Sequence, residues 1–382
     1  MQPTKASYDI IILGAGCAGL SVLMRILADE QLSKQSILLI DQAPKINNDR
    51  TWCFWEKEPG FFEPVVHHQW KQLRFESNQF SSLLHIGAYT YKMIRGIDFY
   101  TYCFEKIKQY PNVTVQYDTI QQFSGEQIQL AGSTIACSGA LVLNSTYTTL
   151  PSQKNSYQLL QHFKGRVIET DQPFFDATTA TMMDFRTAQY GATAFVYTLP
   201  LSPYRALVEY TQFSAQLLLP EQYETALDNY ISDTLQLKNY TLVEEEFGVI
   251  PMTNAKFEQY SNGVYHLGTA GGQTKASSGY TFQFIQKQSD AIVQLLKQGK
   301  PPLVKPTFLQ QRFHWYDSTL LHILAKDKMQ GDDFFTRLYS KNDAALIFKF
   351  LDNETSIVEE LKIMNTVPRW LFTRVALQEL LY

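Results

Sequence analysis

The stretch YDIIILGAGCAGLSVLMRILADEQLSKQSILLIDQ, residues 8–42, predicts a βαβ unit near the start of the chain. It begins with a continuous apolar run, Ile10 to Leu13, which suits a strand that is buried on both faces of a parallel sheet. Apolar residues then recur at helical spacing from Leu20 to Leu27, and a second apolar strand, Ile37 to Ile40, ends at Asp41. We therefore expect an α/β fold in this part of the chain.

The turn between the first strand and the helix carries the pattern Gly-x-Gly-x-x-Gly. In such a turn, the first glycine permits the bend, the second lets the backbone approach a pyrophosphate, and the third lets helix and strand pack closely. The helix N-terminus offers free N–H groups to phosphates, and Asp41 can bond a ribose hydroxyl. A turn that serves packing alone is the alternative. The pattern predicts a dinucleotide site formed by Gly14, Ala15, Gly16, Gly19 and Asp41, and it leaves NAD and FAD both open.

A second glycine-rich turn follows about 250 residues later, in GVYHLGTAGG, residues 263–272. The pattern predicts a strand from Val264 to Leu267, then the turn, then a helix from about Tyr280 to Lys297 that is closed by Gly299. This order resembles glutathione-reductase-like flavoproteins, in which a late strand, turn and helix return to the first domain near the flavin. The resemblance implies FAD contacts from Gly268, Gly271 and Gly272, although Thr269 stands where many such proteins have aspartate.

Composition excludes several classes of protein. The chain has 382 residues, 45% hydrophobic and 18% charged, with a net charge of -4, which argues against nucleic-acid binding. Cys17, Cys53, Cys103 and Cys137 lack the spacing of a metal site, and they suit a reducing cytoplasm. We expect no signal peptide, no membrane-spanning helix and no metal.

Ordered motifs identify a family resemblance. They are NNDRTWCFWEK (47–57), MMDF (182–185), FVYTLPL (195–201), LVEYT (207–211), EEFGVIPM (245–252) and GTAGGQTKASSGY (268–280). Together they resemble the lycopene cyclase family, flavoproteins that close β-ionone rings on a linear carotenoid. The resemblance implies reduced FAD kept reduced by a donor such as NADPH, lycopene or a related carotenoid as substrate, and isomerase chemistry without net redox change. It also leads us to expect a cofactor contact from Arg95.

Cyclisation of an alkene needs a proton delivered to carbon by an acid that stays protonated near neutral pH. Glu209 occupies the position of the family's proposed general acid, in a strand whose alternation puts Leu207 and Thr211 on the same face. Relatives often carry two adjacent acids here, whereas this chain has Tyr210 next to Glu209. A glutamate of this kind held in an apolar pocket would have a raised pKa. A solvated glutamate on an edge strand is the alternative.

Other candidates surround this acid in the sequence. Asp184, in MMDF, is either a second functional acid or a turn residue, and Glu246 is the one member of the run 244–246 that we single out. His67 and His68 suit surface or packing roles. A carbocation is stabilised by aromatic faces, for which the candidates are Trp52, Phe54, Trp55, Tyr197 and Tyr210, with core packing as the alternative.

The predicted organisation is interleaved. A discontinuous FAD-binding domain comprises residues 1–62, 95–150 and 247–300, and the strands of a β-sheet substrate domain lie in 63–94 and 151–246. A helical C-terminal region follows at 301–382. In that region Phe348, Phe350, Trp370, Leu371 and Phe372 lie beside basic residues, which suits peripheral membrane association, with a helical cap as the alternative.

Two rival functions stay open at this point. The same fold hosts flavin-dependent monooxygenases and reductases that act on isoprenoid or aromatic substrates, because fold does not fix function. A non-catalytic carotenoid- or flavin-binding protein is the other rival. The sequence leaves open whether one or both carotenoid ends are cyclised and whether the ring is β or ε. It also leaves open the final base and the oligomeric state.

Overall fold

A computed structural model describes residues 8–147, 151, 153 and 156–380. The predicted domain ranges also include residues 1–7, 148–150, 152, 154–155 and 381–382, which lie outside the described residues.

The strands, in chain order, are β1 (Ile10–Leu13), β2 (Ile37–Asp41), β3 (Thr51–Glu56), β4 (His68–Trp70), β5 (Gln72–Glu76), β6 (Ser81–Leu84), β7 (Thr90–Arg95), β8 (Val113–Tyr117), β9 (Ile120–Phe123), β10 (Gln127–Leu130), β11 (Thr134–Ala136), β12 (Leu141–Asn144), β13 (Gln158–Glu169), β14 (Thr179–Asp184), β15 (Thr193–Ser202), β16 (Arg205–Ser214), β17 (Thr241–Thr253), β18 (Tyr260–Ser261) and β19 (Val264–His266). The helices are α1 (Cys17–Leu27), α2 (Gly96–Ile107), α3 (Pro220–Asn229), α4 (Phe282–Lys297), α5 (Phe308–Ala325), α6 (Gly331–Lys341), α7 (Ala344–Leu351), α8 (Ile357–Met364) and α9 (Arg369–Glu379).

A six-stranded sheet in the order β18-β19-β12-β1-β2-β8 forms the core of the nucleotide-binding part. Its strands are parallel except β18, and the predicted strands of the first βαβ unit, β1 and β2, are buried at every residue. Helices α1, α2 and α4 contribute to the apolar cluster on this sheet. The sheet draws strands from three separate stretches of sequence, so the chain leaves this layer and returns to it.

A seven-stranded sheet in the order β17-β13-β16-β15-β14-β5-β6 forms a second layer. The predicted hairpin is present as β15 and β16, which pair antiparallel around Pro203. One face of this sheet packs against the C-terminal helices and the other face packs against α3. Strand β17 runs through residues 246 and 247, where the two predicted domains were expected to meet, and it continues to Thr253.

A small sheet in the order β3-β7-β4 connects the two layers. Another small sheet, in the order β11-β10-β9, lies beside the six-stranded sheet. Alternation along β3 sends Trp52 and Phe54 to the nucleotide-binding core, where both rings contact Phe282. It sends Trp55 to the core of the seven-stranded sheet. The strand therefore presents one face to each layer.

The C-terminal region is helical, as the sequence predicts, and most of its named aromatic side chains pack inward. Phe348 is fully buried and stacks on Trp55 with ring centroids 4.4 Å apart. Phe372 stacks on Phe334, and Phe350 packs against the same core. Of the two alternatives for these three rings, the structure favours a helical cap, and the cap packs on the core of the seven-stranded sheet. Trp370 is 81% exposed.

Candidate functional site

The first glycine turn has the geometry that a dinucleotide requires. Gly14 has φ +94°, and a Cβ on Gly19 would lie 1.9 Å from the carbonyl oxygen of Gly14, so neither position tolerates a side chain. Gly16 is the N-cap of α1, and a Cβ there would meet nothing within 4 Å. Open space therefore lies in front of the free N–H groups of this helix, where a phosphate fits.

Asp41 lies at the end of β2, beside this turn. Its Oδ2 accepts a hydrogen bond from the backbone N–H of Ala15 at 2.7 Å, and its Oδ1 lies 3.0 Å from Nζ of Lys45. The carboxylate thus fixes the turn, and the Ala15 amide is committed to it. A ribose contact from Asp41 and a phosphate contact from Ala15 stay predictions.

The second glycine turn packs directly on the helix that follows the first. A Cβ on Gly268 would lie 2.5 Å from Cβ of Ala18 in α1, and α1 and α4 are joined by hydrogen bonds from Arg25 to Gln286 and Asp290. Gly271 and Gly272 complete the turn, where Gly272 has φ +77°. The two turns, distant in sequence, are therefore neighbours in space.

Two buried polar atoms lie close to the segment that leads into α4. Among the described residues, Oγ of Ser278 and Oε1 of Gln161 have no hydrogen-bond partner. A Cβ on Gly279 would lie 2.2 Å from that Gln161 oxygen. Unpaired buried polar atoms are costly, and a polar ligand at this helix N-terminus would satisfy them. The residues present at both turns fit a long dinucleotide.

Arg95 lies at neither glycine turn. It pairs with Thr51 across β3 and β7, and its guanidinium makes two hydrogen bonds to Asp98, at 2.7 and 2.8 Å. It lines a cleft of about 450 Å³. A cofactor contact from Arg95 stays a prediction, and the structure places this side chain in the cleft.

The structure brings two carboxyl groups together in the seven-stranded sheet. Gly165 in β13 pairs with Glu209 of β16 on one side and with Glu246 of β17 on the other. A Cβ on Gly165 would lie 2.9 Å from Cγ of Glu246 and 3.1 Å from its Oε1. Because the residue between them has no side chain, the two glutamates interact above it.

These carboxyls have shifted pKa values. Desolvation raises the pKa of Glu209 well above its ordinary value, and the charge and hydrogen bond of Glu246 raise it further, whereas the hydroxyl of Thr211, which donates to Oε1 at 2.9 Å, lowers it. Desolvation also raises the pKa of Glu246, and the hydroxyl of Thr51, which donates to its Oε2 at 2.6 Å, lowers it. Two close carboxylates cannot both ionise cheaply, so this arrangement favours a proton held on the pair.

Tyrosines and a cysteine lie close to Glu209. Tyr197 is its partner across β15 and β16 and interacts with Tyr280, which in turn contacts Tyr91. Cys53 lies close enough that the two glutamates raise its pKa, which burial already raises. Glu209, Tyr197, Tyr280 and Cys53 are all strongly desolvated, yet each keeps some accessible surface. This combination is expected of groups that line internal space.

Not all predicted site residues reach this place. Tyr210 points to the opposite face of the sheet, where its hydroxyl donates to the carbonyl of Ala188 at 2.8 Å. Asp184 is buried on that same side, where it accepts from Tyr230 and pairs with Arg186. Trp52 and Phe54 lie on the far face of β3. The structure therefore separates four predicted residues from Glu209 and brings Tyr197 to it.

The sequence reading missed several groups that the structure adds to the site. Thr51 and Cys53 alternate along β3 with the predicted site residues Trp52 and Phe54. This alternation was the signal that could have found them. Gly165 interrupts the strand HFKGRVIE, and an isolated glycine in a strand indicates a close approach. Tyr91 carried no signal that set it apart from a core residue.

The cleft lies on the other side of the carboxyl pair. Glu246 and Thr51 line it, together with Leu207, which precedes Glu209 by two residues on the same strand face. The remaining lining is largely charged or polar: Asn48, His67, Arg95, Glu169, Ser202, Tyr204, Arg205, Glu244 and Glu245, with Met93, Val167, Leu201 and Val243. This charged lining distinguishes the cleft from the aromatic space beside Glu209.

A metal-binding cluster and a membrane-spanning helix are both absent from the described ranges. Residues 8–147 and 156–380 contain no group of three or more His, Cys, Asp or Glu side chains able to hold a metal ion. In the same part of the chain, no helix combines the length and apolarity that crossing a membrane demands.

Solved structures share this fold over almost the whole chain. A geranylgeranyl bacteriochlorophyll reductase-like protein from Thermoplasma acidophilum has a TM-score of 0.66 at 12% identity, covering 97% of this chain and 98% of that one. A flavoprotein/dehydrogenase from Cytophaga hutchinsonii has a TM-score of 0.63 at 14% identity, covering 98% and 100%. The fold is the α/β fold of FAD-dependent, glutathione-reductase-type flavoenzymes, as the sequence predicts.

Sequence comparison is more specific. The family model "Lycopene cyclase protein" matches residues 9–376, so the chain belongs to the lycopene cyclase family. A lycopene beta-cyclase from Pseudescherichia vulneris is 26% identical over 320 residues, 80% of this chain and 79% of that protein. A lycopene beta-cyclase from Pantoea ananas is 27% identical over 263 residues, 66% of this chain and 64% of that protein. The predicted family is confirmed.

Proposed function

We propose that this protein is a lycopene β-cyclase, an isomerase that uses FAD and closes the linear ends of a carotenoid into β-ionone rings. The observation that carries the proposal is the desolvated carboxyl of Glu209, which lies beside Glu246 and close to Tyr197 and Tyr280. Family membership supports the choice of a linear carotenoid, and the two glycine turns support FAD.

Glu209 is the proposed proton donor. Its O–H delivers a proton to a terminal double bond, which leaves a carbocation that a neighbouring double bond attacks to close the ring. A ring carbon then loses a proton to a base that passes it to solvent, so one proton is gained and one is released for each ring, and no electrons are transferred overall. Desolvation favours the neutral acid before transfer, because it disfavours the carboxylate.

Aromatic side chains stabilise the cation in this proposal. The rings of Tyr197, Tyr280 and Tyr91 offer negative faces without a strong nucleophile, and their hydroxyls are buried phenols. Burial raises the pKa of Tyr280 to about 12 and that of Tyr197 well above its ordinary value, so both stay neutral. These groups exclude water, which would otherwise trap the cation.

FAD would be held by the turn at Gly14 to Gly19 and by the segment that leads into α4. When bound in its reduced form, it supplies negative charge near the cation, with NADPH as the proposed reductant. The unpaired polar atoms of Ser278 and Gln161 support a polar ligand beside the segment that leads into α4.

We also propose that the protein works in the cytoplasm at a membrane surface, where a carotenoid substrate resides. Exposed apolar side chains lie on α8 and α9: Ile357, Val358 and Leu361 on the first, and Trp370 and Leu377 on the second. The four cysteines are all free thiols, which suits a reducing compartment.

A redox reaction on a similar substrate is the second candidate, because the fold neighbours include a reductase-like protein and a p-nitrophenol 4-monooxygenase from Pseudomonas putida. Product mass separates the candidates. A cyclase returns a product isobaric with its substrate, whereas a reductase or monooxygenase changes the mass and consumes nicotinamide stoichiometrically. A non-catalytic binding protein would return the substrate unchanged.

The direct test is expression in a bacterium that accumulates lycopene, followed by chromatography of the pigments. The wild type should form cyclised pigment, Glu209→Gln should leave lycopene, and Glu258→Gln, an exposed glutamate elsewhere, should behave as the wild type. Unchanged lycopene in the wild type, with flavin bound and a reductant present, contradicts the proposal.

A further inference from the structure

Glu246 stands between two different environments. On one side it lines the cleft whose other walls include Arg95, Arg205, Glu244 and Glu245. On its other side it contacts Glu209, which faces the space formed by Tyr197, Tyr280 and Cys53. Glu209 itself is absent from the cleft lining. A proton that travels between the cleft and Glu209 therefore meets Glu246 first.

The contact between the carboxyls is arranged by three local features. Gly165 leaves the gap that both side chains need, and the Thr51 hydroxyl holds Oε2 of Glu246 at 2.6 Å. If both glutamates are ionised, Oε1 of Glu246 is buried without a hydrogen-bond partner among the described residues. An O–H on Glu209 would satisfy that oxygen, since a protonated carboxyl has a donor.

The proposed reaction requires such a route. After each transfer to carbon, Glu209 is left as a carboxylate in a desolvated place, and it must regain a proton before the next cycle. Its tyrosine neighbours stay protonated and are poor donors. The cleft, in contrast, has exposed charged side chains such as Arg205 and Glu245, so solvent reaches it.

We propose that Glu246 is a positioning and relay residue that returns a proton from the cleft to Glu209 after each turnover. The balance is simple: after turnover the ionised Glu246 takes a proton from water in the cleft and passes it to the Glu209 carboxylate, and the hydroxide left in the cleft is neutralised by the proton that the ring carbon releases to solvent. The proposal rests on the proposed function, in which Glu209 is the donor. Glu246 does not contact the reacting carbon.

The first test separates one turnover from many. In Glu246→Gln, Glu209 enters the first cycle carrying a proton, so a single turnover should stay within about threefold of wild type at low pH. The steady-state rate should fall by at least about tenfold, since proton transfer by a positioned group contributes roughly a hundredfold or more. Formate should restore part of the steady-state rate of Glu246→Ala, and KM should not change.

The matched control is Glu258→Gln. This exposed glutamate does not line the cleft. Its single-turnover and steady-state rates should both match the wild type. If Glu246→Gln lowers both rates by one common factor without formate rescue, or lowers neither, the relay is contradicted.

A second variant guards against a folding defect. Gly165→Ala keeps both carboxyls but adds a methyl group within 3.1 Å of Oε1 and Cγ of Glu246, which forces that side chain away. It should show the same difference between single-turnover and steady-state rates. If a folded Gly165→Ala protein has the single-turnover and steady-state rates of the wild type, the relay is also contradicted.

An infrared measurement makes the inference independent of turnover. The C=O band of the protonated carboxyl should shift within the mixing time when the wild-type protein is transferred to D₂O, and at least about tenfold more slowly in Glu246→Gln, because the route to solvent is lost. Equal exchange rates overturn the relay even if the cyclase proposal holds. Slowed exchange in a protein that makes no cyclised pigment supports the relay while the cyclase proposal fails.

Discussion

The carboxyl groups of Glu209 and Glu246 meet across a strand that belongs to neither of them. They are on β16 and β17, and Gly165 of the intervening β13 is paired with both. A Cβ at position 165 would lie 2.9 Å from Cγ of Glu246 and 3.0 Å from Cδ1 of Leu207, so a side chain there would displace Glu246 or its neighbour. The second acid of this site therefore comes from a distant strand. The residue next to Glu209, Tyr210, points to the opposite face, so an acid at that position of this chain could not do the same.

Replacing Thr211 with valine should move the pH dependence of activity upward. The Thr211 hydroxyl donates to Glu209 and stabilises its charged form, so its loss raises the pKa of Glu209 further. Because the proposed donor must be protonated, the decline of kcat at high pH should begin at higher pH than in the wild type. A pH–rate profile of the variant measures this. A shift to lower pH would contradict the assignment of Glu209 as the donor.

Stability should fall as pH rises, in part because of Glu209. The folded-state pKa is raised, so the contribution of this group to the free energy of unfolding is fully present below the ordinary pKa of glutamate. It is lost as pH rises through the raised folded-state value. Glu209→Gln cannot ionise and should lose stability less steeply between pH 5 and pH 9. Urea denaturation at several pH values checks this, and identical slopes for both proteins would refute it.

Gly16→Val should yield a folded protein with little flavin. A Cβ at Gly16 meets no protein atom within 4 Å, so the main cost to the fold is about 1 kcal/mol, from a poorer helix cap. The side chain would nevertheless fill the space that a phosphate needs. Visible absorbance of the purified protein measures bound flavin. Gly132→Val, in a loop with ordinary contacts, is the control, and wild-type flavin content in Gly16→Val would exclude this turn as the phosphate site.

Membrane binding should depend on exposed apolar side chains of the C-terminal helices. Val358 is 65% exposed and Trp370 is 81% exposed, so serine at both positions should leave the fold intact. The double variant should float with anionic lipid vesicles several-fold less than the wild type. Leu83→Ser, at a position on β6 that is 51% exposed, should have no effect. Equal flotation of all three proteins would rule out this surface.

Local patterns were sufficient to predict much of the fold. The apolar run, the glycine turn and the helical spacing of residues 8–42 all specify one βαβ unit, and β15 and β16 form the hairpin that their alternation predicts. The second acid was harder to assign, because pairing of β13 with β16 and β17 depends on register between strands far apart in sequence. The aromatic residues of β3 were predicted as site residues from their type alone. Whether each side chain points to the site depends on which layer its face of the strand meets, and the sequence does not show this.

The mass of the product formed in ordinary and in heavy water tests the central claim most directly. If protonated Glu209 delivers its exchangeable proton to carbon, the product formed in H₂O is isobaric with lycopene, and the product formed in D₂O carries one deuterium for each ring closed. Glu209→Gln should form neither product while retaining bound flavin. A wild-type product whose mass differs from lycopene in H₂O, or a cyclised product without deuterium in D₂O, would contradict proton delivery from this carboxyl.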